Sequence, residues 1–162
     1  MTAAALHDGP LVKAHTGIEE LLALQWKFWI PWLLLFAAEI RLEHSQYADA
    51  GRLLDETEAL IAPTQYMLCM PELLRLRARL FNAMENGEEA AAQQLGGAID
   101  VARGQGARLP ELRAATELAQ FWLDQGESER ARSLLAPIVT SFSEGFELAD
   151  VQNAKATLGV LQ

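Results

Sequence analysis

Cysteine is almost missing from this 162-residue chain: Cys69 stands alone. That excludes an intrachain disulfide framework and a thiolate metal cluster. A single thiol suits a reducing cytoplasm, the location expected here. Basic charge is also scarce. Thirteen Lys+Arg stand against 22 Asp+Glu, for a net charge of −9, with −3 in residues 1–81 and −6 in residues 82–162. No stretch is strongly basic, so neither a nucleic-acid partner nor an anionic membrane surface is expected. Long apolar runs are absent too. The longest, Phe28–Ala38, contains Pro31 and is far shorter than the roughly 20 residues that span a bilayer. The start, Met1 to Pro10, lacks the basic and apolar regions of a signal peptide. Residues 1–9 are expected to form a flexible N-terminus, and residues 10–162 a single helical domain.

Strand signals are equally thin. Val, Ile and Thr never alternate with polar residues over a useful length, whereas apolar residues recur at helical spacing along the chain. Ala and Leu, strong helix formers, dominate those stretches. The pattern predicts eight helices, over about 10–28, 31–44, 47–62, 70–86, 88–104, 109–125, 128–142 and 148–161. Pro31, Pro71 and Pro110 are expected in first helical turns, where a missing N–H costs nothing. Gly87 and Gly126 are expected to supply left-handed turns, each followed by an acidic residue that complements the next helix's positive end.

The breaks fall in a rhythm. Pro31, Pro71 and Pro110 follow one another at spacings of 40 and 39. Ala50, Ala91 and Ala131 are 41 and 40 apart, each with a leucine four positions on: Leu54, Leu95 and Leu135. Ala38, Ala78 and Ala119 repeat at 40 and 41. A small and a large side chain at i and i+4 share a helix face, so a partner helix can approach closely beside the large one. Helix pairs that recur at this interval bury a continuous core by stacking.

This Ala…Leu pattern after a Gly-bearing turn resembles the tetratricopeptide repeat, with a longer period than that repeat usually has. A second resemblance covers most of the chain. It is carried by Pro71-Glu72-Leu73-Leu74-Arg75-Leu76-Arg77-Ala78-Arg79-Leu80, by Gln105-Gly106-Ala107-Arg108 with Glu111-Leu112-Arg113-Ala114-Ala115-Thr116, and by Leu134-Leu135-Ala136-Pro137. It continues in Phe142-Ser143-Glu144-Gly145-Phe146 and Asp150-Val151-Gln152-Asn153-Ala154-Lys155. These segments look like the C-terminal tetratricopeptide-like region of large bacterial signalling ATPases. In that family the region follows a nucleotide-binding ATPase module, often with a class III adenylate/guanylate cyclase or winged-helix DNA-binding domain at the N-terminus. The chain departs from the family at Pro110, where an aromatic residue is common. It contains neither a G-x-x-x-x-G-K-[ST] phosphate loop nor a cyclase segment. The resemblance therefore implies the array alone, as a fragment or a stand-alone version, and no enzymatic function.

Several groups of residues invite a functional reading beside a structural one. His7, His15 and His44 are scattered and fit no metal-ligand spacing. No metal or cofactor is expected. Glu19-Glu20, Asp55-Glu56 and Glu88-Glu89 read as solvated faces or helix-dipole partners. Arg75 and Arg79 share a helix face, with Arg77 turned elsewhere. Together with Arg113, Arg75 and Arg79 either pair with the chain's own carboxylates or line a groove that receives an acidic segment. Trp29 and Trp32 either pack the core between the first two helices, separated at Pro31, or form a self-association patch giving a homodimer. Gly96-Gly97 inside a helix marks close packing or a hinge. The function expected is a non-catalytic protein-interaction or regulatory module binding a protein or peptide in a helix-lined groove. The alternative is a small-molecule-sensing domain that shifts the angles between repeats.

Overall fold

Proline and glycine mark several of the helix ends. A computed structural model describes residues 29–62, 67–85 and 87–160, and among them seven α-helices follow one another with no strand. Helix α1 covers 29–43. It is followed by α2 (Tyr47–Ile61), α3 (Met70–Asn82), α4 (Glu88–Gly104), α5 (Arg108–Asp124), α6 (Ser128–Thr140) and α7 (Ala149–Val160), with a short 3-10 turn at Met67–Cys69 before α3. The chain is thus all-α in its described residues, as the apolar periodicity requires. The helix expected over 10–28 and the tail at 1–9 lie outside them, as do His7, His15, Glu19, Glu20 and Trp26.

Pro71 sits in the first turn of α3, and Pro110 occupies the third position of α5. Pro31 differs from expectation. Residues 29 and 30 are already helical, so Pro31 does not separate Trp29 from Trp32, and both tryptophans stand on α1. The glycines also divide. Gly126 takes the left-handed φ of +80°, which turns α5 into α6. Gly87 does not: its φ is −85°. Its role is steric, because a Cβ there would lie 1.8 Å from the Phe81 carbonyl oxygen that closes α3. Helix α3 ends at Asn82, short of the expected 86. Helix α4 runs unbroken through Gly96 and Gly97; Gly97 meets the Leu74 side chain at ordinary contact distance, and Gly96 faces open space.

Each repeated small–large pair is buried. Ala50 and Leu54, Ala91 and Leu95, and Ala131 and Leu135 all lie in the core, with Ala38, Ala78 and Ala119. One cluster joins α1, α2 and α3 through Leu35, Leu42, Ile61, Leu73 and Leu76. The other runs from α3 to α7 through Ile99, Leu112, Leu118, Ile138 and Val151. Fully burying a leucine or isoleucine contributes about 1.5–3 kcal/mol. Helix α3 packs against α2, α4 and α5, while α5 packs against α4, α6 and α7. The fully buried Thr57 satisfies its hydroxyl by donating to the Leu53 carbonyl at 2.8 Å. Among the described residues no helix is long and apolar enough to cross a membrane.

Candidate partner groove

Helices α1, α3, α5 and α7 each turn one charged face toward a common cleft of about 420 Å³. Glu39 comes from α1, Arg75 from α3, Arg113, Thr116 and Glu117 from α5, and Asp150 and Asn153 from α7. Helical spacing explains the α5 contribution: Arg113, Thr116 and Glu117 stand at i, i+3 and i+4 on one face.

Arg75 is the centre of the arrangement and only 8% exposed. Its Nε donates to Glu72 at 2.7 Å, its Nη1 to Glu117 at 2.6 Å and its Nη2 to Glu39 at 2.9 Å. Arg79 Nη1 reaches the same Glu39 oxygen at 2.9 Å. Arg113 donates from Nε to Asp150 at 2.8 Å and from Nη1 to Glu72 at 2.9 Å. Glu72 therefore ties α3 to α5 with one oxygen for each arginine. Of the three arginines expected to line a groove, Arg75 and Arg113 line this cleft, Arg79 touches it only through Glu39, and all three are bonded to carboxylates of their own chain. Arg77 is turned away, as expected, onto Asp55 and Glu58 of α2, each at 2.8 Å.

The electrostatics follow from this geometry. Burial opposes the charge on Arg75, but Glu117, Glu72 and Glu39 hold its pKa above the ordinary arginine value. Burial alone would raise Glu39, yet the hydrogen bond and charge of Arg75, aided by Arg79 and Arg113, bring it below the usual carboxylate range. At Glu117 burial wins. Its carboxyl is pushed up, because Arg75 and Arg79 offset only part of the desolvation and the nearby Glu72 charge adds to it. Burial likewise opposes the charge on Arg113, which Glu72 and Asp150 nonetheless hold above its usual value.

The two sequence-predicted patches touch. Trp32 is half-buried against the α1–α3 core, and with Phe36 it forms an apolar wall beside Arg75 and Arg113 around a space of about 170 Å³. Trp29, one turn earlier, is 57% exposed and faces outward instead. Arg79 also borders a neighbouring cleft of about 460 Å³ between α3, α4 and α5, which shares Glu117.

Sequence reasoning missed the carboxylates Glu39, Glu72, Glu117 and Asp150. A signal for them existed. The bonds Glu39–Arg79, Glu72–Arg113, Arg75–Glu117 and Arg113–Asp150 join residues 40, 41, 42 and 37 positions apart. Three of those separations lie within one residue of the 39–41 spacing of the alanines and prolines, and the fourth, 37, falls short of it. Extending the repeat from apolar to charged positions would have brought the partners together.

Nucleophiles near the cleft are few and engaged. Thr116 donates its hydroxyl to the Leu112 carbonyl at 2.7 Å, and Cys69 is buried in the α1–α3 cluster. Among the described residues no group of three His, Cys, Asp or Glu side chains is placed to hold a metal ion. His44 hydrogen-bonds through Nδ1 with the Ile40 carbonyl at 2.8 Å. No known protein family, curated protein or solved structure matches this chain.

Proposed function

We propose that the chain is a non-catalytic, tetratricopeptide-like interaction module that docks a segment of a partner protein in the groove of α1, α3, α5 and α7. One observation carries the reading: alternate helices supply the whole lining of the cleft, and its aromatic wall adjoins its ionic floor. In stacked helix pairs the first helix of each pair faces a shared concave surface, and the packing of α3 on α5 and of α5 on α7 supports that arrangement. Trp32 and Phe36 offer the kind of aromatic anchor that dominates binding energy. Arg75, buried and triply bonded, acts as framework. Arg113, with 41% of its side chain exposed, presents a guanidinium to a partner carboxylate, which would take the place of Asp150. The resemblance noted in the sequence suggests such a module in the regulatory array of a bacterial signalling ATPase or cyclase-type protein, in the cytoplasm.

A small-molecule-sensing role draws support from the cleft volume, which falls within the roughly 300–1,000 Å³ typical of ligand sites. Such sites are mostly apolar, however. The charged lining here favours a polypeptide segment.

A photo-cross-linking amino acid placed at Asn153 tests the proposal in the cells that make the protein, with the exposed Arg132 of α6, outside the groove, as the comparison. Adducts to one partner from Asn153 and not from Arg132 are expected. Adducts from Arg132 alone, or equal labelling from both, would overturn the groove reading. Asp150→Asn then reports the partner's charge. Freeing Arg113 should tighten binding of an acidic segment, whereas a weaker complex would mean that the groove takes a basic one.

A further inference from the structure

The neighbouring cleft of about 460 Å³, between α3, α4 and α5, is built differently from the groove. Its floor is apolar: Ala78, Ala91 and Leu95 are buried there, with the half-buried Phe121 as one wall. Its rim is acidic. Glu88 opens α4, Asp124 closes α5, and Glu117 is shared with the groove. Arg79 is the basic residue of the lining, and it is bonded to Glu39. Arg75 donates to one oxygen of Glu117. Glu88 and Asp124 remain. Asp124 accepts a 3.2 Å hydrogen bond from Gln120, and neither carboxylate has a basic partner among the described residues.

The fold does not ask for these charges. Helix α5 ends at Asp124 with no basic residue in its last turn, so a carboxylate stands where the helix carbonyls already favour a cation. One repeat earlier, 41 positions back, Glu88, Glu117 and Asp124 are matched by Tyr47, Leu76 and Ala83. The same packing of helix pairs forms there without an acidic rim. Burial pushes the Glu117 carboxyl up even with Arg75 and Arg79 beside it, so a further positive charge would be welcome. The carboxylates are also spread around the cleft: among the described residues no three His, Cys, Asp or Glu side chains are placed to hold a metal ion. The cation that fits is therefore an extended one, with an apolar stem for the floor and a charged head for the rim.

We propose that this cleft receives a lysine or arginine side chain of the docked segment, its methylenes against Ala91, Leu95 and Phe121 and its charge among Glu88, Glu117 and Asp124. Long basic side chains bury their stems on apolar surface and keep the head at a wet, polar edge. Charge complementarity at the rim selects them against neutral side chains of the same length. The inference rests on the groove reading for the segment that brings the side chain, and Glu117, common to both clefts, makes the two spaces adjacent. Arg113 then reads a carboxylate of the segment and this cleft reads a cation, so the partner motif carries both signs.

The test uses the full chain and a blocked tripeptide, acetyl-Gly-Lys-Gly-amide, titrated to millimolar concentration while amide NMR spectra are recorded. Shifts should centre on Ala91 and Phe121 and saturate. The arginine tripeptide should bind alike, and tripeptides with norleucine or glutamate at the centre at least about 5-fold more weakly. Glu88→Gln combined with Asp124→Asn should weaken the lysine tripeptide by a similar factor, with unchanged helical circular dichroism because both side chains are exposed. Glu85→Gln combined with Glu129→Gln removes the same charge from exposed positions outside the cleft and should change little. Gln120→Arg supplies a cation at the rim and should compete with the tripeptide. Equal binding of the norleucine tripeptide, equal losses in the two double variants, or shifts scattered over the acidic surface would each overturn the proposal. So would n-butylammonium binding as tightly as the tripeptide, which would assign the cleft to a small amine. The groove reading is scored apart: adducts from Asn153 in a chain that ignores the lysine tripeptide would leave the groove standing and remove this inference.

Discussion

Arg75 and Glu117 are joined by a 2.6 Å hydrogen bond across forty-two positions of sequence, close to one repeat length. The same guanidinium binds Glu72 on its own helix and Glu39 on α1. One buried side chain thus pins three consecutive odd-numbered helices together, and the groove's shape depends on it.

Replacing Arg75 should therefore be costly. Arg75→Met keeps the bulk but leaves Glu72, itself buried, without one of its two cations. Breaking a buried pair from one side typically costs about 3–5 kcal/mol, and the lower end applies because Arg113 still holds Glu72. Urea unfolding at neutral pH measures it. A loss well under about 1 kcal/mol would mean that the network is ornamental to stability.

The two outer carboxylates should respond to pH in opposite senses. Glu39 has a folded-state pKa below its ordinary value of about 4.5. The unfolded chain then binds the proton more readily, so the contribution of Glu39 is complete above the unfolded value and lost as pH falls through the folded one. The penalty of Glu39→Gln should be larger at pH 7 than at pH 3. Glu117, raised by burial, has the reverse sign: the folded state holds its proton more tightly, so ionising it as pH rises weakens the fold. Relative to wild type, Glu117→Gln should fare better at pH 7 than at pH 3. Paired urea titrations at the two pH values check both directions, and parallel behaviour of the two variants would contradict the assignment.

How much of this was legible beforehand depends on the kind of contact. Ala50–Leu54, Ala91–Leu95 and Ala131–Leu135 announced their burial because a helix face repeats every few residues and buried faces are filled mainly by apolar side chains. Pro71 and Pro110 announced helix starts because a first turn loses nothing with proline's missing N–H, although Pro137 inside α6 shows that a proline does not always mark a start. The partners of Arg75 were not announced. Ion pairs between helices depend on rotamers and on neighbouring helices, and an arginine surrounded by 22 acidic residues has many formal candidates. Gly87 misled because glycine serves two purposes: freedom in φ, as at Gly126, and absence of a Cβ, which only three-dimensional packing against Phe81 reveals.

Cys69 offers a probe of the α1–α3 cluster. Burial pushes its thiol up, and the side chain is inaccessible at the start of α3. At neutral pH a disulfide reagent should modify it at least about 100-fold more slowly than in denaturant, since the thiolate is the reactive form and the site must open first. Destabilising the cluster with Leu54→Ala should accelerate the reaction. Rapid labelling of the folded wild-type chain would show that the cluster opens far more readily than its packing implies.

The glycines give a final, paired prediction. Gly96 lies within α4 with open space where a Cβ would go. Alanine there restricts the unfolded chain and keeps the helix intact, so Gly96→Ala should stabilise by about 0.5–1 kcal/mol. A hinge at Gly96 would make the same substitution lower groove binding while raising stability, whereas a plain helical position leaves binding unchanged. Gly87→Ala should do the opposite to stability. Its Cβ would fall 1.8 Å from the Phe81 carbonyl oxygen and 3.2 Å from that of Met84, both backbone atoms with little room to yield. The turn must open, which should cost about 1–3 kcal/mol and loosen α3 from α4. Thermal unfolding of the two variants beside wild type reads both signs at once. A neutral Gly87→Ala would show that the α3–α4 turn has slack that its geometry does not display.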